Sequence, residues 1–253
     1  MVVENRRTFS LLVFVHKHFR FIAYQRDDQG AAQDYSISRF LSHASAILSI
    51  KNSKIVFIEA FFSEHNPQVA LKALDMCADA GVVTSFNLCG EAVVEEHFEK
   101  SIEPFLRRCD VVVGNLIEFN HVCAKLNIST EHTEQAALHV HKVMMMHILS
   151  TSYRVKSLET CRKILVVTNG DKGVLCVTNS HGLINYLPPR LESSKIKDTN
   201  GAGDSFIAGF LYALLQEQPI LKCLEIACRV AGEIIQQYGI TLPEKKIDFL
   251  KDD

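Results

Sequence analysis

Residues 198–211 read DTNGAGDSFIAGFL. Two acids, two glycines and an alanine fall within seven residues, and the chain then turns apolar. Phe206, Phe210, Leu211 and Leu214 recur at helical spacing, so a helix begins inside this stretch. Gly201, Ala202 and Gly203 carry almost no side chain, and their backbone N–H groups can approach a ligand closely. At a helix N-terminus such groups are unpaired and lie at the positive end of the helix dipole, an arrangement that favours an anion. Asp204, in the first turn, can face whatever the anion is bonded to. The same letters also suit an ordinary helix cap after a tight turn, and local physics does not separate the two.

Outward from this stretch the chain alternates strand and helix. Residues 34–50 place Ile37, Phe40, Leu41, Ala44, Ile47 and Leu48 at helical period, and KIVFIEAFF (54–62) is an apolar run of strand length. A helix follows over 67–81, with Pro67 in its first turn and Gly81 just past its end. Strands are expected at 82–88, 109–115, 163–170 and 173–179, and helices at 91–107, 117–126, 131–147, after Gly201, and from Ile220 to Tyr238. Apolar strands alternating with helices predict a parallel sheet covered on both faces, a three-layer α/β/α architecture. Ligands bind such sheets beyond the C-terminal strand ends, where Asn87, Asn115 and Asn169–Gly170 stand. Residues 1–35 break the rhythm. They read as strands with a polar turn at DDQG (27–30), a small attached sheet or flap.

The chain has 253 residues, a formal charge of −2 and 47% apolar residues, enough for one large α/β domain or two small ones. The balance of charge gives no reason to expect nucleic acid or a membrane as partner. The apolar core Leu11–Val15 is too short for a signal peptide or a span, so a cytoplasmic protein, with the nucleus also open to it, is expected. Eight cysteines form no C-x-x-C pair and sit mostly in apolar runs, as reduced buried thiols do. His139, His141 and His147 share a helix, but 139 and 141 point about 200° apart and cannot share a metal there. They read as solvated or core histidines, and Met144–Met146 as helix packing.

DTNGAGDSFIAGFL closely resembles the C-terminal signature of the ribokinase-like family of sugar and nucleoside kinases, including its Gly209–Phe210 pair. The resemblance implies that the amides of Gly201, Ala202 and Gly203 form an anion hole for the transferred phosphoryl group. It further implies that Asp204 takes the proton of the attacking hydroxyl, that Asn200 helps bind substrate, and that Thr199 lies on the nucleotide side. Asn115-Leu-Ile-Glu118 fits the family's Asn-x-x-Glu element, in which Asn115 contacts the nucleotide and Glu118 organises magnesium through water; alone, the pattern is also a surface helix cap. Thr168-Asn-Gly170-Asp-Lys-Gly173 fits the turn that lines the ATP site, with Thr168 and Gly170 as contacts; alone, it is an ordinary β-turn.

Within the family the likeness is strongest to adenosine kinases, through DTNGAGD, SFNLCG (85–90) and GITLPEKK (239–246), and runs from about residue 37 to 247. It implies a monomer that uses ATP and Mg2+ to phosphorylate adenosine to AMP in purine salvage. Family members also carry a Gly-Gly substrate motif near the front. Here no Gly-Gly occurs, and Gly30 is the only glycine before residue 80. Residues 1–35 are therefore expected to be a remnant of lid or edge strands and 36–253 the kinase domain. Two rivals stand beside the active nucleoside kinase: a nucleotide-binding remnant with impaired catalysis, and a kinase for another sugar-type alcohol.

Overall fold

A computed structural model describes residues 11–16, 19–24, 36–150 and 163–241, with side chains for 36–146 and 163–241. The DDQG turn, Cys161, the His147 side chain and residues 242–246 of the tail lie outside them. Two strands, β1 (Leu11–His16) and β2 (Phe19–Tyr24), pair antiparallel in a sheet of their own, Leu11 opposite Tyr24 and His16 opposite Phe19.

Residues 36–150, 163–169 and 175–185 fall in one compact unit, and 170–174 and 186–241 in a second with the hairpin. The first unit opens with α1 (Ile37–Ser42) and α2 (Ala44–Asn52), where one helix was expected. The break falls at His43. Ser42 Oγ and His43 Nδ1 both reach the Arg39 carbonyl at 2.7 Å, taking the acceptor that would continue the helix. β3 (Ile55–Glu59) stops before the expected run does, and Ala60–His65 is the short helix α3. An unbroken apolar run does not separate strand from helix by period. α4 (Pro67–Ala80) matches expectation at both ends, with Gly81 in the left-handed conformation at φ 69°.

β4 (Val83–Asn87) leads to α5 (Glu91–His97), a π-helical turn over Phe98–Ile102, and α6 (Glu103–Arg108), in place of one continuous helix. Pro104 explains the wide turn. It has no N–H to give to the preceding turn and its ring crowds that carbonyl, so Glu103 N–H bonds back to Phe98 O instead. Then come β5 (Val111–Asn115), α7 (Leu116–Lys125), α8 (Thr133–Ser150), β6 (Ile164–Thr168), β7 (Val174–Thr178) and β8 (Gly182–Tyr186).

The strands form one six-stranded sheet in the order β3-β4-β5-β6-β7-β8, parallel from β3 to β6. The links into β7 and β8 are far shorter than the dozen or more residues a parallel crossover needs. These two strands therefore extend the parallel sheet in antiparallel sense, and helices cover both sides. The sequence reading gave no strand at β8, whose Gly182-Leu-Ile-Asn-Tyr186 is half polar.

Register explains the core. Ile58, Phe86, Val112 and Leu165 lie in one row across four strands, and all are buried in one cluster with Phe98, Ile102, Phe105, Phe119, Val140 and Met144. The next row, on the opposite face, is Glu59, Asn87, Val113 and Val166. The buried Lys163 Nζ donates to the carbonyls of Arg107, Arg108 and Cys109 at 3.2, 2.9 and 2.8 Å, a cationic cap on the C-terminus of α6. His141 is a core histidine, its Nε2 2.9 Å from Lys163 O.

In the second unit α9 (Ala202–Leu215) packs on α10 (Ile220–Ile234). Gly209 lets the two backbones meet, since a Cβ there would stand 3.0 Å from Ala227 Cα. The seven cysteines among the described residues are thiols outside any disulfide. Burial pushes the thiols of Cys77 and Cys123 up to about 11 and those of Cys109 and Cys228 to about 12, which suits inert packing groups. Among the described residues no helix is long and apolar enough to cross a membrane.

Candidate active site

The loop 198–204 and the first turn of α9 lie within the second unit. Gly201 takes φ 73°, a left-handed conformation that admits glycine at little cost, and it turns the chain into the helix. The N–H of Ser205 bonds the Gly201 carbonyl at 2.9 Å, the first bond of α9. Ala202 N–H donates to Thr199 O at 3.3 Å. Among the described residues the N–H groups of Gly201 and Gly203 meet no acceptor of the chain. Two of the three expected anion donors are thus open, and the third makes a long local bond. Gly203 and Asp204 are exposed, and among the described residues no hydrogen bond or ion pair holds the Asp204 carboxylate. Asn200 Nδ2 donates to Asp198 Oδ1 at 2.7 Å.

The second group lies within the first unit. Asn115 ends β5 and caps α7, its Oδ1 accepting from Ile117 N–H and Glu118 N–H at 2.9 Å each. Glu118 answers with Oε2 accepting from Asn115 N–H at 2.9 Å, which completes a capping box. Its Oε1 accepts from Gly90 N–H at 2.8 Å, binding the loop after β4 to the start of α7. Room for this carboxylate comes from Gly114, where a Cβ would stand 2.5 Å from Leu88 Cδ1 and 3.2 Å from Glu118 Oε2. Thr168 pairs in register with Asn115, and its Oγ1 donates to Gly114 O at 3.4 Å. Asn115, Glu118 and Thr168 are therefore brought together by three neighbouring elements. The cap reading and the expected functional reading of Asn-x-x-Glu describe the same side chains. In the second unit, the exposed Gly170 takes φ 56° with open space where a Cβ would be, and Gly173 N–H bonds its carbonyl at 3.4 Å.

Glu118 is only 8% exposed. Burial pushes its carboxyl above the ordinary value, against the downward pull of the Asn115 and Gly90 N–H bonds, and the nearby Glu91 adds to the rise. A carboxyl raised on folding keeps its proton longer in the native chain than in the unfolded one. Its contribution to stability is therefore largest at low pH and declines as pH climbs through the unfolded value of 4.5 to the higher native one. In Glu118→Gln this titration is gone. Urea melts of parent and variant between about pH 4 and pH 7 should show the parent's advantage shrinking as pH rises; an advantage that grows would mean the ionised form is the favoured one.

Among the described residues no group of three or more His, Cys, Asp or Glu side chains converges on a metal position. The only acid in the Asn115 group is Glu118, and each of its oxygens keeps a lone pair beyond the bond it makes. That suits contact with a hydrated magnesium ion through water better than direct ligation. Sequence reasoning passed over Glu59, which stands at the C-terminal end of β3 in register with the buried Asn87. Its apolar surroundings, IVFIEAFF, hid it inside an expected strand.

A family model described as pfkB family carbohydrate kinase matches residues 1–247. The chain belongs to the pfkB family. Adenosine kinase 2 of Arabidopsis thaliana is 29% identical over 196 residues, which make up 78% of this chain and 53% of that protein. The adenosine kinase of Schizosaccharomyces pombe is 26% identical over 220 residues, 87% of this chain and 61% of the relative. This pfkB chain thus spans between 53% and 61% of the length of those two relatives. Among solved structures, adenosine kinase from Schistosoma mansoni in complex with 2-fluoroadenosine has a TM-score of 0.81 at 19% identity, covering 96% of this chain and 66% of that one. The fold is therefore the ribokinase-like three-layer α/β arrangement. The family match also reaches ahead of residue 37, where the motif likeness begins.

Proposed function

We propose that the chain transfers the γ-phosphoryl group of MgATP to a hydroxyl of a nucleoside, with adenosine as the first candidate acceptor. The observation that carries this reading is the pair of amides at Gly201 and Gly203, open among the described residues, at the N-terminus of α9 beside the Asp204 carboxylate, which none of those residues bonds. Membership of the pfkB family and the adenosine kinase relatives support it.

In this reading the acceptor oxygen attacks the γ-phosphorus, the bond from that phosphorus to the bridging oxygen breaks, and ADP leaves. The acceptor's proton passes to Asp204. Transition states of this kind are loose and spread charge over the equatorial oxygens, so fixed donors and positioning carry most of the catalysis. The amides of Gly201 and Gly203 supply such donors, aided by the helix dipole; Ala202 N–H joins them once it leaves Thr199 O. Thr199, Thr168 and Gly170 serve the nucleotide, as does Asn115. Glu118 orients the metal's water while its two backbone bonds hold it in place. Asn200 serves the substrate.

One coupled assay tests the reading: ADP release with MgATP and adenosine, with MgATP and ribose, and with MgATP alone. Release that requires adenosine and yields AMP is expected. Release that requires ribose moves the acceptor to sugars, and nucleotide binding without release in any arm removes the kinase reading.

A further inference from the structure

Asp198 has no part in the chemistry above, yet it is only 6% exposed, at the head of the 198–204 loop of the second unit. Both of its oxygens are used. Oδ1 accepts from Asn200 N–H at 2.9 Å and from Asn200 Nδ2 at 2.7 Å; Oδ2 accepts from Gly239 N–H at 3.1 Å. Gly239 belongs to the segment that leaves α10, takes φ 68°, and is followed by Ile240. Ile240 lies directly over Gly201, for a Cβ on that glycine would come 2.5 Å from Ile240 Cδ1. Two further bonds fasten the same pieces together: Lys197 and Asp198 N–H both donate to Ile235 O, at 2.9 and 3.3 Å. One carboxylate therefore holds the loop from inside and also holds the strap that covers its turning point.

We propose that Asp198 is a positioning residue that clamps the segment 238–241 onto the Gly201 turn, fixing the direction in which the Gly201 and Gly203 amides point. The catalytic half of this inference rests on the kinase reading above; the clamp itself does not. A carboxylate suits the task because all three of its partners are donors. Asparagine would set an NH2 group against one of them, so Asp198→Asn breaks one side of the clamp while keeping shape and volume.

The test reads amide exchange by NMR and turnover with MgATP and adenosine, in the parent, in Asp198→Asn and in Ile240→Ala. Ala202 and Ser205 are the reporters, because their N–H groups bond within the loop and not to Asp198. In Asp198→Asn they should exchange about tenfold faster or more, with Val112 and Leu165 of the parallel sheet unchanged. Ile240→Ala removes an exposed side chain, folds readily, and should free the same reporters while the Gly239 N–H stays protected. Turnover should fall about 10- to 100-fold in Asp198→Asn with KM for ATP little changed. Faster exchange confined to Asn200 and Gly239 would overturn the proposal, as would an equal rise throughout the sheet or parental turnover. If the parent turns over no acceptor, the kinase reading fails and the exchange arm alone decides the clamp.

Discussion

Asp204→Asn is expected to lower turnover by about 10²–10⁴-fold, the range a general base contributes. At about 1.4 kcal/mol per factor of ten this is about 3–5.5 kcal/mol of transition-state stabilisation. The substitution is close to a pure removal of basicity. Asparagine has nearly the same shape, the side chain is exposed, and no hydrogen bond or ion pair among the described residues depends on it. Neither the melting temperature nor the calorimetric affinity for a non-hydrolysable MgATP analogue should move appreciably. A carboxylate is a poor base toward an alcohol in the ground state. Its value arises as the acceptor oxygen loses electron density late in a loose transfer, so the deficit should appear in kcat rather than in KM for ATP. A variant that keeps parental kcat would strip Asp204 of its role and leave the open amides as the only catalytic feature of the loop.

Where sequence and structure agree, one local pattern carries the information. Pro67 and Gly81 bracket α4 because each enforces a backbone angle that a helix end requires, and no tertiary contact is needed to read them. The loop at 198–204 is legible in part for the same reason: small residues before an apolar helix mark where its N-terminal amides lie, but not that Ala202 N–H bonds Thr199 O. Asn115 and Glu118 were legible as a pair and as a helix cap, but the bond by which Glu118 also reaches Gly90, distant in sequence, was not. The bonds of Asp198 to Gly239 and of Lys163 to the end of α6 are equally non-local, and no periodicity announces them. The missed helix breaks at His43 and Phe98–Ile102 are a different failure. There hydrophobic period continued across a backbone interruption caused by competing side chains in one case and by Pro104 in the other.

Phe105→Ala is expected to give the largest loss of stability, about 3–5 kcal/mol, through transfer and cavity terms together. Phe105 is fully buried, and its ring stacks on Phe86 with centroids 4.9 Å apart and planes 17° off parallel. Phe86 stands in the central row of the sheet between Ile58 and Val112, so a cavity at Phe105 opens directly beneath the strands. Relaxation into that cavity is restricted. The C-terminus of α6 is held by three bonds from Lys163 Nζ and by the Arg108–Asp75 ion pair at 2.6 Å, which keep the helix from settling toward the sheet. With folding worth about 5–15 kcal/mol in all, such a loss is a large share of the total. For a chain of this size, about 2–4 °C per kcal/mol puts the fall in Tm at roughly 6–20 °C. Phe62→Ala is the control, since Phe62 is half-exposed on α3 and its truncation should cost far less. Thermal melts by circular dichroism compare the two; equal losses would mean that the Phe86–Phe105 stack is not where the first unit draws its cohesion.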